Sequence, residues 1–188
     1  MLYKRALLVV DVQNDFCPGG SLPVPEADTI IPVLNRYIGL FSKEGLPVFF
    51  SRDWHPKKTA HFKMYGGLWP VHCVQGSCGA RFHPRLKIPK RRIILSKGMN
   101  PLRNSYSAFQ AEDEAGLSFL SILKIFGVTQ LYVGGLATDY CVKSSVLDAL
   151  KKGFKVKLLH NAIKGVDMKP GDSARAIKAM VKRGARAC

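Results

Sequence analysis

The chain has 188 residues, a length typical of a single compact domain over residues 1–188. Its hydrophobic fraction of 47% and charged fraction of 22% exclude a disordered chain. The five cysteines are odd in number and irregularly spaced, and no secretory signal precedes them. We therefore expect a cytoplasmic protein without a disulfide framework. No apolar stretch approaches the roughly 20 residues that span a bilayer, so no membrane partner is expected.

The charge is strongly positive. The chain carries 29 Lys and Arg residues against 13 Asp and Glu, a net charge of +16, and much of the excess lies between Arg81 and Arg103. A basic surface attracts nucleic acid and anionic lipid without specificity. The sequence contains no RNP-like aromatic pattern, no zinc-finger spacing and no Gly-Lys nucleotide loop. We therefore predict a solvated basic face and no specific nucleic-acid partner.

Short apolar runs alternate with helical stretches along the whole chain. In chain order we predict a strand over 6–10, a helix over 28–44, strands over 48–51 and 92–96, a helix over 118–126, a strand over 130–134, a helix over 139–152, a strand over 155–159, a helix over 172–183 and a short strand after Gly184. Asp28 or Thr29 is the expected cap of the first helix, and Pro32 lies in its first turn. Apolar strands joined by helices predict an α/β fold of three layers, αβα. The central sheet is mostly parallel, with about six strands and helices on both faces.

The segment over 52–91 is long and without clear periodicity. It carries glycines, prolines, both tryptophans and most of the histidines. Loops of this length in a compact domain are usually functional.

Reactive side chains follow four of the predicted strands. Asp11 comes after the first strand, Asp53 after the second and Lys97 after the third, while Cys141 begins the helix after the fourth. In parallel α/β sheets, ligands bind beyond the carboxyl ends of the strands. We therefore expect these side chains to meet at one edge of the sheet.

Each of these residues also has an ordinary structural interpretation. An Asp after a strand is often a turn former, a lone Lys is usually on the surface, and a Cys near a helix start is often a small buried hydrophobe. However, a helix N-terminus and a neighbouring Lys both lower the pKa of a thiol. Asp11, Lys97 and Cys141 together therefore indicate a proton carrier, an electrostatic organiser and a nucleophile.

A second cluster consists of "RDWHPKKTAHF" and "WPVHC". Asp53 and His55 are two apart on an extended chain and point to one side. His72 comes from the far end of the loop, and His61 could add a fourth ligand. This donor set suits one divalent metal ion, Zn²⁺ in first place, with Fe²⁺ or Mn²⁺ as alternatives. The alternative is a polar surface loop. His83 and His160 are expected to be structural.

Five segments in order resemble nicotinamidase/pyrazinamidase sequences, which belong to the isochorismatase-like cysteine hydrolases. They are "VVDVQNDFCPGGSL", "SRDWHP", "WPVHCVQGSCGARFHPRL", "SKGMNP" and "VGGLATDYCVKSSVLDAL", and the resemblance covers nearly the whole chain. It implies hydrolysis of nicotinamide, and also of pyrazinamide, through a thioester. It further implies a homo-oligomer and a role in NAD salvage.

The resemblance also implies roles for single residues. Cys141 corresponds to the nucleophile, Asp11 to the general base and later acid, and Lys97 to their charge partner. Asp53, His55 and His72 correspond to metal ligands, and His61 to a fourth histidine that only some members have. Backbone N–H groups of Ala137 and Cys141 correspond to the oxyanion hole, preceded by a cis Leu136–Ala137 bond. Residues Phe16, Trp69, Leu136 and Tyr106 correspond to the substrate pocket.

The sequence departs from the family in three places outside these residues. His160–Asn161–Ala162 stands where many relatives have an Asp after the fifth strand, the charge is atypical, and the chain is short after Gly184. Three other functions compete. One is a metal-free hydrolase of the same superfamily, acting on ethers, carbamoyl compounds or ureido acids. A redox cysteine would need Cys73 or Cys78 as resolving partner, and a basic nucleic-acid-binding module would bind weakly and without sequence preference.

Overall fold

A computed structural model describes residues 2–188. Six strands form one sheet in the order β3-β2-β1-β4-β5-β6, and every neighbouring pair is parallel. The strands are β1 (Arg5–Val10), β2 (Val48–Asp53), β3 (Ile93–Lys97), β4 (Gln130–Leu136), β5 (Lys155–Lys164) and β6 (Arg186–Ala187). The helices are α1 (Ile31–Lys43), α2 (Phe119–Ile125), α3 (Lys143–Lys151) and α4 (Asp172–Lys182).

Helices cover both faces of the sheet. Residues 6–10 of β1 are completely buried, and their side chains alternate between two hydrophobic clusters. Leu8 belongs to the cluster that contains residues of α2, α3 and α4, whereas Leu7 belongs to the cluster that contains residues of α1. Burial on both faces explains why the strand is apolar at every position. The predicted three-layer αβα fold is confirmed.

The fifth strand is longer than predicted. It continues to Lys164, so that His160–Asn161–Ala162 lies inside β5 and not after it. Its pairing with β4 changes register between Val133 and Gly135, and the strand resumes with Gly135 beside Ile163. The polar residues at this irregularity interrupt the apolar run and hid the second half of the strand. The final strand has only two residues.

Two helix starts were predicted wrongly. Residues Ala27–Ile30 form a 3₁₀ turn, and α1 begins only at Ile31. Neither Asp28 nor Thr29 caps it, because the Thr29 hydroxyl instead donates a hydrogen bond to the carbonyl of Glu26 at 2.7 Å. The helix predicted over 139–152 begins as the π-helical turn Thr138–Val142, and α3 starts at Lys143.

All five cysteines are free thiols. Among residues 2–188, no helix combines the length and the apolar character needed to cross a membrane.

Candidate active site

The parallel register brings the predicted reactive residues to one edge of the sheet. Asp53 ends β2 and pairs directly with Lys97, which ends β3. Asp11 follows β1, and its backbone N–H donates to the carbonyl of Ser51 in β2 at 3.2 Å. Asp11 and Lys97 are each 1% exposed, so neither is the surface residue that a charged side chain usually is, and Cys141 is 7% exposed.

The ammonium group of Lys97 lies at the centre of this edge. Its Nζ atom is 2.9 Å from Asp11 Oδ2, donates a hydrogen bond to Asp53 Oδ1, and lies 3.4 Å from Cys141 Sγ. Asp11 accepts a further hydrogen bond from the Ser51 hydroxyl at 2.7 Å. The three residues that the sequence predicted as a reactive set are thus in mutual contact.

Burial and charge shift the pKa values of this group in different directions. Burial raises the pKa of the Cys141 thiol well above its usual value, although Lys97 opposes the shift. Burial also raises the pKa of Asp11, and the neighbouring Asp53 carboxylate adds to this effect. Burial alone would lower the pKa of Lys97, but the carboxylates of Asp11 and Asp53 hold it well above its usual value. A charged lysine therefore faces two groups, Asp11 and Cys141, that compete for one proton.

A wide turn holds the cysteine. The Ala137 carbonyl accepts hydrogen bonds from the N–H groups of both Tyr140 and Val142, each at 3.1 Å, and this closes the π-helical turn around Cys141. The peptide bond between Leu136 and Ala137 is cis, as the resemblance implied. Within residues 2–188, the Ala137 N–H donates to no backbone acceptor. It is therefore available to a bound oxygen atom.

Three histidines converge beside this cluster. His55, His61 and His72 are buried, and each offers a ring nitrogen within 4.8 Å of the others. Asp53 Oδ2 lies 3.6 Å from His55 Nε2 and 3.8 Å from His72 Nε2. The rings of His55 and His61 are stacked with centroids 4.7 Å apart. The structure therefore places His61 with the three predicted ligands.

The other nitrogen of each ring is fixed by an oxygen acceptor. His55 Nδ1 is 3.1 Å from the carbonyl of Gly98, His72 Nδ1 is 2.7 Å from the carbonyl of Pro70, and His61 Nδ1 is 2.7 Å from Asn104 Oδ1. A carbonyl oxygen can only accept, so each Nδ1 carries a proton, and Nε2 is the nitrogen left to bind an ion. The φ angle of Gly98 is +72°, and a Cβ at this position would lie 2.4 Å from His55 Cε1.

These residues fit a divalent metal ion. His55 Nε2 is buried and has no hydrogen-bond partner among the described residues, and burial lowers the pKa of His61 to about 4, which keeps its ring neutral. Neutral imidazoles with a carboxylate are the ligands of zinc and related ions. Asp11, Asp53 and Cys141 also lie within 4.8 Å of one another, but the Lys97 ammonium already contacts all three and supplies their positive charge.

A pocket opens onto both clusters. Its walls include all the predicted substrate residues, Phe16, Trp69, Leu136 and Tyr106, together with Ala137 and Cys141. The Trp69 Nε1–H donates to the Tyr106 hydroxyl at 3.0 Å, and the ring of Tyr140 meets that of Trp69 edge to face with centroids 4.9 Å apart. The pocket surface is mostly apolar, and a few polar groups, among them Asp11 and Cys141, also line it, as in sites for small molecules.

Sequence reasoning missed several residues that position the site. The side chain of Gln13 donates to the carbonyl of Asp53 at 2.8 Å and accepts from its N–H at 2.7 Å. Asp15 Oδ2 accepts from the N–H of Cys73 at 2.6 Å, and Asp139 accepts from the N–H groups of Val166 and Asp167. The pocket walls further include Leu22, Val24, Tyr140 and Val166. The polar run "QND" (residues 13–15), shortly after Asp11, was the feature of the sequence that could have indicated supporting roles for Gln13 and Asp15.

Other candidates stay apart from these clusters. Cys73 is buried and Cys78 is an exposed free thiol beside Asn14, and neither lines the pocket that contains Cys141. His83 Nδ1 accepts from the N–H of Arg85 at 3.2 Å, and His160 is exposed on β5. Neither histidine belongs to the metal-binding group or to the pocket wall.

A parallel α/β sheet with a buried cysteine, an Asp–Lys pair and a histidine-rich site at its carboxyl edge defines the class of α/β cysteine hydrolases. The chain belongs to the isochorismatase family, because the model of the isochorismatase domain matches residues 5–188.

Similar proteins agree with this assignment. The chain is 43% identical to a nicotinamidase of Escherichia coli over 96% of this chain and 92% of that protein. It is 36% identical to a nicotinamidase/pyrazinamidase of Mycobacterium tuberculosis over 86% and 87% of the two chains. A crystal structure of a Pyrococcus horikoshii pyrazinamidase in complex with zinc superposes with a TM-score of 0.91. That protein is 44% identical to this chain, and the match covers 99% of both.

Proposed function

We propose that the chain hydrolyses nicotinamide to nicotinate and ammonia, and pyrazinamide in the same way. One observation supports this most directly: Phe16 and Trp69 line the same apolar pocket as Cys141 and two of the clustered histidines, His61 and His72. A flat ring carrying a carboxamide matches this arrangement. Its ring occupies the apolar part while the carbonyl carbon approaches the thiol. The reaction belongs to the salvage of nicotinamide toward NAD.

The first half of the reaction transfers the acyl group to the protein. Asp11 accepts the proton of Cys141, and the sulfur attacks the amide carbonyl. The N–H groups of Ala137 and Cys141 hold the oxyanion, an effect worth about 3 kcal/mol per donor. Asp11 then returns the proton to the leaving nitrogen, and ammonia departs from a thioester. Lys97 holds positive charge beside sulfur and carboxylate throughout.

The second half releases the acid. Once ammonia has left, Asp11 is again a carboxylate and accepts a proton from a water molecule that attacks the thioester carbon. The tetrahedral intermediate collapses, nicotinate leaves, and Cys141 recovers its proton. Two acyl transfers therefore replace direct attack of water on an unreactive amide.

Asp53, His55 and His72, with His61 as a fourth protein ligand, would hold one divalent ion, for which we propose zinc, with iron or manganese as alternatives. The crystal structure of the similar Pyrococcus pyrazinamidase contains zinc, and the donor set suits this ion. When bound, the ion would supply a Lewis acid that orients a ring nitrogen of the substrate. The protein's part is to hold each Nδ1 against an oxygen acceptor, so that the three Nε2 atoms, grouped in one place, are left for the ion.

Ammonia release from nicotinamide tests the proposal. Purified protein is assayed as isolated, after chelation, and after return of Zn²⁺, Fe²⁺ or Mn²⁺. Activity that chelation removes and one of these metals restores is the expected result. If folded protein with a free Cys141 thiol releases no ammonia with any of these metals, the substrate is wrong, and the superfamily's carbamoyl compounds and ethers come next. A cytoplasmic location and a homo-oligomer stay predictions, and size-exclusion chromatography with light scattering tests the latter.

A further inference from the structure

A groove lies at the edge of the sheet opposite to Cys141. Part of its wall comes from the amino ends of three strands: Tyr3 precedes β1, Val48 is the first residue of β2 with Pro47 just before it, and Ile93 is the first residue of β3. The cavity measures about 300 Å³, which is large enough for a small organic ligand. No residue of the proposed catalytic pocket lines it.

The charge of the groove is positive. Arg91 and Arg92 line it and are exposed, and no Asp or Glu does. In the part of the chain that the structure describes, neither guanidinium forms an ion pair. Arg92 donates to the carbonyl of Lys90 at 3.3 Å, and it also borders a separate depression that Asp113 and Glu114 line. Two arginines without carboxylate partners favour an anionic ligand with several acceptor oxygens.

One wall of the groove is aromatic. The rings of Tyr3 and Phe126 lie 5.7 Å apart at an angle of 52°, and both side chains are partly exposed. The Tyr3 N–H donates to the carbonyl of Phe126 at 2.6 Å, which fixes the two residues relative to each other. Leu46 and Ile93 add apolar surface beside them. A planar ring can pack against such a wall, whereas an inorganic anion makes no use of it.

We propose that this groove binds a mononucleotide. The base packs against Tyr3 and Phe126, and the phosphate contacts Arg91 and Arg92. The two halves of the groove thus match the two halves of a single molecule, and its volume suits one nucleotide. The proposal gives a role to Arg91 and Arg92, two residues of the basic segment that the proposed hydrolysis does not use. It does not depend on that hydrolysis.

Isothermal titration calorimetry with AMP, adenosine and inorganic phosphate at constant ionic strength tests the proposal. We expect AMP to bind at least tenfold more tightly than either fragment, because only AMP engages both walls. The double variant Arg91→Glu/Arg92→Glu should bind AMP at least 30-fold more weakly. The matched control Lys182→Glu/Arg183→Glu changes the net charge equally at the end of α4 and should change AMP affinity less than threefold.

A third variant tests the aromatic wall. Tyr3→Leu keeps apolar volume but removes the ring, so it should weaken AMP and adenosine by a similar factor of about five to tenfold and leave phosphate unchanged. Circular dichroism and nicotinamide turnover of each variant establish that it is folded. Three results would overturn the proposal: AMP binding no more tightly than phosphate, equal losses in the two double variants, or a decaadenylate that binds far more tightly per nucleotide than AMP does.

Discussion

The candidate site has a reactive half, with Asp11, Lys97 and Cys141, and a histidine half, with the three clustered histidines. The halves share Asp53 but differ in which group supplies positive charge. In the reactive half, the chain supplies its own cation, since Lys97 contacts Asp11, Asp53 and Cys141. In the histidine half, the outer nitrogen Nδ1 of each ring donates to an oxygen, so the Nε2 atoms are the nitrogens left to bind an ion. The difference shows where an external ion fits: in the reactive half the compensating cation is Lys97 itself, whereas the nitrogens of the histidine half suit a cation from solution.

The nucleophile gives the largest expected effect. Cys141→Ala should lower nicotinamide turnover by at least about 10⁴-fold, because no other group can form the thioester. The same variant should bind its metal ion normally, since the cysteine belongs to the reactive half alone. Ammonia release and elemental analysis measure the two properties. Turnover that survives the substitution would disprove the covalent mechanism, and loss of metal would disprove the separation of the halves.

Replacement of Lys97, the buried cation of the reactive half, gives the second-largest expected effect. Lys97→Met should lower the free energy of unfolding by about 3–5 kcal/mol, because it leaves buried carboxylates without their partner. In Lys97→Met/Asp11→Asn one of those carboxylates is neutral, so part of the loss should be recovered. Urea denaturation measures both variants. If the double variant is less stable than the single one, charge compensation is not what Lys97 contributes.

The histidine half is probed through a residue that supports a ligand. Asn104→Ala removes the acceptor for His61 Nδ1 and should weaken metal affinity about 10–100-fold. Asn161→Ala changes an exposed Asn on β5 and serves as the matched control. Competition with a chromogenic chelator measures the affinities. Equal affinities in both variants would contradict the role of Asn104 in holding His61 for the metal ion.

The smallest effect is expected at the surface. Arg5 and Glu44 form an ion pair at 2.5 Å whose side chains are 46% and 48% exposed. Glu44→Ala should lower the free energy of unfolding by no more than about 1 kcal/mol, and less in high salt, since water screens this pair. Urea denaturation at two salt concentrations measures it. A loss of stability as large as that of Lys97→Met would contradict the expectation that buried ion pairs matter more for stability than exposed ones.

The sequence predicted most of the fold, because buried parallel strands have a clear apolar signal. Five strands were placed within two residues at their starts. The second half of β5 was missed, since its pairing with β4 resumes only after a register shift that no local pattern encodes. The π-helical turn around Cys141 was also missed. It depends on two hydrogen bonds to one carbonyl, that of Ala137, and an ordinary helix has the same sequence signature.

The sequence predicted which residues meet at the candidate site, but not the residues that hold them in place. Asp11, Lys97 and Cys141 could be grouped because each follows a predicted strand, and parallel strands bring such residues to one edge of the sheet. Gln13 and Asn104 could not be assigned roles, because their partners, Asp53 and His61, lie 40 and 43 residues away along the chain. Such contacts follow from the folded arrangement of the long loop and not from spacing.

Gly98 has a consequence for how freely this chain can vary. It bears no functional group, yet it has a positive φ angle and its carbonyl accepts a hydrogen bond from His55. The His55 ring lies so close that no space is left for even a methyl group. A library of random substitutions selected for turnover should therefore retain only glycine at position 98, as strictly as it retains cysteine at 141. Substitutions of Gly98 would inactivate the protein because of the backbone conformation there and not because a reactive group is lost. A map of inactivating substitutions would therefore include positions that take no part in the reaction.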